Sequence, residues 1–261
     1  MKRWHSRGEH NQLSSILPGT PCASNAERTV SKRLAFMTRY MPHPCPSVLD
    51  MGCGWGVYLQ PLSAYSALVV GADINYEYLR EAAANSQGHG VYLLQMDVEK
   101  LAFAKESMDA VTMIEVLEHL RDGTRAIQQV SAILKPGGCL LMSVPNKLFL
   151  FETHGIRVRG KLRGSRWGTG IPFLPLLPRR LRKRFATVQL YYAWELKKML
   201  EAKGFSVCKI DFLMPSLDAL QRHLPGSVAG MVWWANRTLG ALEKSALRIF
   251  GSTILVCAMK V

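Results

Sequence analysis

Five short apolar runs, Ser47–Asp50, Ala67–Ala72, Val91–Met96, Ala110–Ile114 and Cys139–Val144, are separated by turns and by stretches with helical spacing. Runs that stay apolar instead of alternating with polar residues are buried on both faces. With helices between them, they require a parallel sheet covered on both sides, with right-handed crossovers. The expected fold is α/β and doubly wound. Helices are expected over Asn25–Tyr40, after the first strand through Leu62, over Tyr76–Asn85, over Leu117–Leu134 and over Tyr192–Ala202. Pro136, Gly137 and Gly138 should turn the chain into the fifth strand. Two more strands, Phe205–Phe212 and Thr253–Met259, flank a helical segment. There Val228, Met231, Ala235, Leu239, Leu242, Ala246 and Ile249 keep a helical apolar stripe.

The totals set bounds on this reading. With 261 residues, 48% hydrophobic and 20% charged, the chain is an ordinary globular one with enough length for a full core. It has no uncharged apolar run long enough to span a bilayer. The start, MKRWHSRGEH, is basic but has no apolar core behind it, so no secretory signal is expected. Residues 1–24 read as a loose arm and 25–261 as the folded domain. Cys22, Cys45, Cys53, Cys139, Cys208 and Cys257 show no metal-ligand spacing and read as free thiols of a cytoplasmic protein.

The first strand runs straight into glycine: VLDMGCGWG, Val48 to Gly56. In a doubly wound sheet, ligands bind beyond the carboxyl ends of the strands. Gly52, Gly54 and Gly56 lie there, where a backbone without Cβ can turn sharply and let a ligand approach. A dinucleotide site would read G-x-G-x-x-G and place pyrophosphate on a helix N-terminus. This turn reads G-x-G-x-G behind Asp50, and a carboxylate there repels pyrophosphate but attracts a cationic ligand. Asp73 ends the second strand, where it can accept both hydroxyls of a ribose. Asp97 follows the third, within reach of an adenine amino group, with the Val98 backbone as donor.

These features resemble class I S-adenosylmethionine-dependent methyltransferases. The similarity lies in VLDMGCGWG, VVGADINYEYLREA, LLQMDVEKLAF, MDAVTMIEVLEHLRD and LKPGGCLLMSVPN, with a weaker match in LKKMLEAKGFSV. EVLEHL followed by PGG and VPN is most similar to the ubiquinone-biosynthesis type, whose relatives act on small or lipid-like acceptors. The resemblance implies a mostly parallel seven-stranded sheet with an antiparallel last strand, matched here by TILVCAMK. It implies S-adenosyl-L-methionine as cofactor, held by Asp50, Gly52, Gly54, Gly56, Asp73, Ile74, Asp97, Val98 and Glu115. The glycines would cradle its amino-acid portion, Asp73 its ribose, and Asp97 with Val98 its adenine.

Methyl transfer from a sulfonium is an in-line displacement in which the protein supplies orientation and a dry site, and no metal is expected. A hydroxyl acceptor needs a base. His119, just after the fourth strand, is the candidate, because imidazole titrates near neutral pH. Glu115 and Glu118 flank it and could orient it or face the cofactor; His154 is a substitute.

Residues 147–191 follow the fifth strand and should cover the acceptor side. Between Thr153 and Trp194 there is no acid, and ten of the cations behind the net charge of +14 fall there: Arg157, Arg159, Lys161, Arg163, Arg166, Arg179, Arg180, Arg182, Lys183 and Arg184. Leu181, Phe185 and Val188 recur at helical spacing among them, with Phe173, Leu174, Leu176 and Leu177 just before. Apolar anchors beside cations suit an anionic membrane surface, contacted through 171–188, which would make the protein peripheral on the inner face of a membrane. Nucleic acid fits less well, since few aromatics, such as Trp167 and Phe185, could stack on bases there. A lid with solvated charges is the plainer alternative. Trp233 and Trp234 are expected to fill the core, with a place in an apolar acceptor pocket as the alternative.

The function expected is O-methylation of a small or lipid-linked acceptor. Rivals are a C- or N-methyltransferase of the same fold, an NAD-dependent oxidoreductase, and a non-catalytic cofactor-binding protein at a membrane. Oligomeric state is not legible.

Overall fold

The computed structural model describes residues 27–86, 90–152, 156–158, 161–163, 171–182, 184–216 and 229–261. The expected arm at 1–24, together with His154, Trp167 and Val228, lies outside them. The seven expected strands form one sheet: β1 (Ser47–Met51), β2 (Leu68–Asp73), β3 (Val91–Gln95), β4 (Met108–Ile114), β5 (Leu134–Pro145), β6 (Phe205–Leu213) and β7 (Thr253–Lys260). Their order is β6-β7-β5-β4-β1-β2-β3. Only β7 runs antiparallel to its neighbours, as the resemblance implied. The order reverses at β1, which pairs with β2 on one side and β4 on the other. That reversal opens a crevice at the carboxyl ends of β1 and β4.

Adjacent residues of each strand feed opposite layers. Leu49, Met51, Val111, Met113, Leu140 and Met142 pack on one side, with Ile127, Leu196 and Leu200 from the covering helices. Val48, Ala110, Leu141 and Leu255 face the other, beneath Met37, Leu59, Leu62 and Leu79. Among the described residues the helices in chain order are α1 (Glu27–Tyr40), α2 (Leu59–Leu62), α3 (Tyr76–Asn85), α4 (Gly123–Ile133), α5 (Arg179–Arg182), α6 (Ala193–Glu201) and α7 (Ala229–Leu242). Among the described residues, no helix is long and apolar enough to cross a membrane. The five described cysteines, 45, 53, 139, 208 and 257, are free thiols.

Four expectations need correction. The helix expected over Leu117–Leu134 is two pieces, a 3-10 turn at Leu117–His119 and then α4, whose cap Asp122 accepts the Arg125 amide at 2.9 Å. The Pro-Gly-Gly turn lies inside β5 as a register shift, because both Leu134 and Cys139 pair with β4. The helical spacing of Leu181, Phe185 and Val188 does not become one face: α5 stops at Arg182, Leu181 and Phe185 are exposed, and Val188 is buried. Trp233 and Trp234 do not fill the core; they are 62% and 65% exposed, and Met231 of the expected apolar stripe is 72% exposed.

Candidate active site

Asp50 lies in the middle of the sheet, level with Gly71 of β2 and Thr112 of β4, and is 1% exposed. The Thr112 hydroxyl donates to its Oδ1 at 2.6 Å, while Oδ2 is buried with no hydrogen-bond partner. Burial pushes its pKa up to about 7, against the Thr112 hydrogen bond and with a contribution from the Asp73 charge. An acceptor so placed calls for a donor, and a cationic one would restore its charge.

Past Met51 the chain turns through Gly52, Gly54 and Gly56, all at positive φ. Gly52 shows why a side chain is excluded: a Cβ there would lie 2.5 Å from Cγ2 of Val116, on the chain leaving β4. Asp73 pins this turn from the end of β2. Its Oδ2 accepts the Gly54 amide at 2.9 Å and its Oδ1 the Asn75 amide at 2.8 Å. Each carboxylate oxygen retains a second lone pair for a hydroxyl donor. Ile74 is 66% exposed beside it. The ends of β2 and β3 are tied by the Met96 amide donating to Asp73 O and by the Gln95 side chain donating to Ile74 O. Asp97 caps the following turn, accepting the Glu99 amide at 2.9 Å, and the Val98 side chain enters the core.

Beyond β4, Glu115 adopts φ 56° and turns its carboxylate inward. Its Oε1 accepts the Ser143 hydroxyl at 2.9 Å and lies 2.7 Å from Nη2 of Arg33. Arg33 comes from α1, is 1% exposed, and stands beside the buried hydroxyl of Tyr58. Sequence reading missed both residues. The signal was present for Arg33: it falls on the apolar face of α1, one turn before Phe36 and Met37, where a cation is costly unless paired. Glu118 is fully buried; burial first, and the Glu115 charge next, hold its carboxyl well above the usual carboxylate range. His119 is partly exposed, its Nε2 3.9 Å from Glu118 Oε1, beyond hydrogen-bond length. Glu115 is thus held by Arg33 and Ser143, and Glu118 is a buried neighbour of the imidazole.

The chain returning from 147–191 closes over this turn. The Gln189 amide donates to Glu118 O at 3.0 Å, and Tyr191 donates to Leu117 O at 3.4 Å. These contacts set Gln189 and Tyr191, the end of the segment 147–191, against the 3-10 turn after β4. In the same segment Arg182 is only 6% exposed. It lies 3.4 Å from the buried Glu152 carboxylate and donates to Val188 O at 3.2 Å. Arg182, counted among the surface cations, is therefore an internal tie.

The buried Asp50 acceptor, the glycine cradle, the Asp73 carboxylate and the buried guanidinium of Arg33 fit a ligand that carries an ammonium, a carboxylate and a ribose. S-adenosylmethionine has all three.

Comparison with known proteins agrees. Residues 49–142 match the family described as "Methyltransferase domain". The ubiquinone biosynthesis O-methyltransferase of Coxiella burnetii is 33% identical over 120 residues, 45% of this chain and 51% of that protein. The enzyme of the same name from Brucella anthropi is 29% identical over 167 residues, covering 63% and 66%. The match thus spans about half the length of the Coxiella relative. Among solved structures, a putative S-adenosylmethionine-dependent methyltransferase from Listeria monocytogenes superposes with a TM-score of 0.61 at 16% identity, covering 90% of this chain and all of the other. One from Mesorhizobium loti gives 0.59 at 18% identity, covering 91% and 99%. Residues 49–142 thus carry the likeness to the methyltransferase-domain family, and the fold is the one seen in solved S-adenosylmethionine-dependent methyltransferases.

Proposed function

We propose that the protein is an S-adenosylmethionine-dependent O-methyltransferase acting on a small, lipid-like acceptor. The observation that carries the reading is the glycine cradle between two strand-end carboxylates: Asp50, buried with one oxygen unpartnered, and Asp73, whose oxygens anchor the turn. Asp50 and Arg33 would hold the charged amino-acid end of the cofactor and Asp73 its ribose, with Ile74, Asp97 and Val98 around the adenine. When bound, the cofactor supplies an activated methyl group. The protein's part is to orient the acceptor and receive its proton. His119 would accept the hydroxyl proton, with the buried Glu118 carboxyl behind it. Gln189 and Tyr191 would keep water from that side. Oxygen as the methylated atom is supported by the names of the relatives. The exposed Phe173, Leu176, Leu181 and Phe185 of 171–188, with Arg180 and Arg184, support a lipid-like acceptor met at an anionic membrane surface.

The test uses the full chain and methyl-labelled cofactor with lipid extracts and a catechol probe. Label should end on an oxygen, and calorimetry should detect the demethylated cofactor but not NAD. His119→Gln should lower turnover by about 10²–10⁴-fold while leaving the dissociation constant of the demethylated cofactor unchanged. Label on carbon or nitrogen would overturn O-methylation; binding of NAD alone would overturn the whole reading.

A further inference from the structure

We propose that the outward face of α7, with Met231, Trp233 and Trp234, docks the protein on an anionic lipid surface. The proposal extends the membrane reading above but does not use the segment that suggested it.

Helical spacing would bury Met231 together with Ala235, Leu239 and Leu242. The fold instead turns Asn236 inward, at 7% exposure, and leaves Met231, Trp233 and Trp234 in solvent. The helix is fixed at its other end. Glu243, just past it, accepts Lys32 Nζ at 2.7 Å and the Met214 amide at 2.8 Å. The exposed indoles therefore sit on a helix tied to α1 and to the end of β6. Two indoles more than half exposed leave roughly 300 Å² of aromatic surface, comparable to the largest apolar patch of an ordinary monomer, which is often functional.

Topology puts this face on the side of the site. Leu213, Thr253 and Pro145 are level across β6, β7 and β5, so the excursion from 214 to 252 leaves and rejoins the sheet at its carboxyl edge. The glycine turn follows β1 at that same edge. Asn146, where the chain leaves β5, donates to Ile249 O at 2.8 Å and to Gly251 O at 2.7 Å, tying the root of 147–191 to the end of this excursion. A surface that met α7 would lie on the edge from which an acceptor approaches.

Chemistry selects the occupant. Indole joins a flat apolar body to one N–H donor, and it concentrates at the boundary between headgroups and acyl chains. The Arg237 guanidinium lies 5.5 Å from the Trp233 ring centroid, and α7 contains no acid. Arg237 and the exposed Lys244 suit lipid phosphates. A second copy of a chain with net charge +14 would bring the same cations and be repelled, whereas an anionic bilayer complements them. Nucleic acid would need cations tracking a backbone along the helix, and α7 carries one.

The experiment is co-flotation of the full chain with vesicles of phosphatidylcholine alone or mixed equally with phosphatidylglycerol, at low and high salt. The variants are Trp233→Ser/Trp234→Ser, Trp233→Phe/Trp234→Phe and Leu181→Ser/Phe185→Ser. Wild type should float with anionic vesicles and keep a salt-resistant fraction. The Trp-to-Ser pair should lose at least tenfold in partitioning, with circular dichroism and affinity for the demethylated cofactor unchanged. Brominated lipid should quench wild-type fluorescence more than that of the Phe pair, a readout that stands if the Ser pair misfolds. Equal partitioning of wild type and the Ser pair, with no difference in quenching, overturns the proposal. So does a wild type that never floats, a result that leaves methyl transfer to a soluble acceptor intact. Loss confined to the Leu181/Phe185 pair returns the anchor to 171–188. A Trp-dependent gain in mass by sedimentation, or Trp-dependent binding of single-stranded RNA without flotation, assigns the face to another partner and also overturns it.

Discussion

Nη2 of Arg33 lies 2.7 Å from Oε1 of Glu115, joining the first helix to the turn after β4 across 82 residues of chain. The guanidinium is 1% exposed, buried where α1 meets the turn after β4. Glu118 and Tyr58 share the same pocket. Such a cluster holds only while its cation is present, because removing one partner leaves a buried charge uncompensated.

Arg33→Ala should therefore destabilise the protein by about 3–5 kcal/mol, read from urea denaturation. Arg33→Lys keeps the charge but loses the planar fork. It should fold, yet bind the demethylated cofactor at least tenfold more weakly by calorimetry. Unchanged stability in the Ala variant together with unchanged affinity in the Lys variant would show that Arg33 serves neither role.

With the cofactor's ammonium beside Asp50 as proposed, cofactor binding should depend on pH. Its folded pKa of about 7 stands above the ordinary carboxylate value of 3.8, so the folded protein holds a proton that the unfolded chain releases. Its contribution to stability is present in full below about pH 4 and is lost as pH rises through about 7. A cationic ligand beside it favours the ionised form. Binding near pH 6 should therefore release up to about one proton, falling towards none by pH 8. Calorimetry in buffers of different ionisation enthalpy measures this directly. Asp50→Asn should abolish the release and flatten the stability profile; proton release surviving in that variant would assign it to another group.

Arg182 and Glu152 should hold the segment after β5 in place without supporting the sheet. Arg182→Ala should speed hydrogen exchange in 149–152 and 173–188, while β1, β4 and β5 keep their protection. Arg182→Met/Glu152→Leu should recover most of the loss, since replacing both members of a buried pair is far milder than breaking it. Arg180→Ala, on the exposed side of the same turn, is the control and should change nothing. Equal exchange in all three variants would show that the ion pair contributes no local stability.

The sequence alone determined the sheet, the crevice and the strand-end carboxylates, because each is written locally. An apolar run between turns can bury itself only as an inner strand; a glycine is recognisable wherever φ must be positive; and acids placed after successive strands must lie at one edge of a parallel sheet. The departures share a different cause. Arg33 and Arg182 read as two more cations, yet burial depends on which distant element closes over them, Glu115 in one case and Glu152 in the other. Leu181, Phe185 and Val188 had helical spacing, but tertiary ties stopped the helix at Arg182 and sent Val188 inward. Trp233 and Trp234 look like core residues in composition. Only the folded chain decides that the core is already filled by the alternating side chains of the sheet and its covering helices, and that α7, held at its far end through Glu243, keeps the indoles outside. Periodicity fixes which residues share a face of an element; which face meets the core is set by long-range packing, and that information is not local.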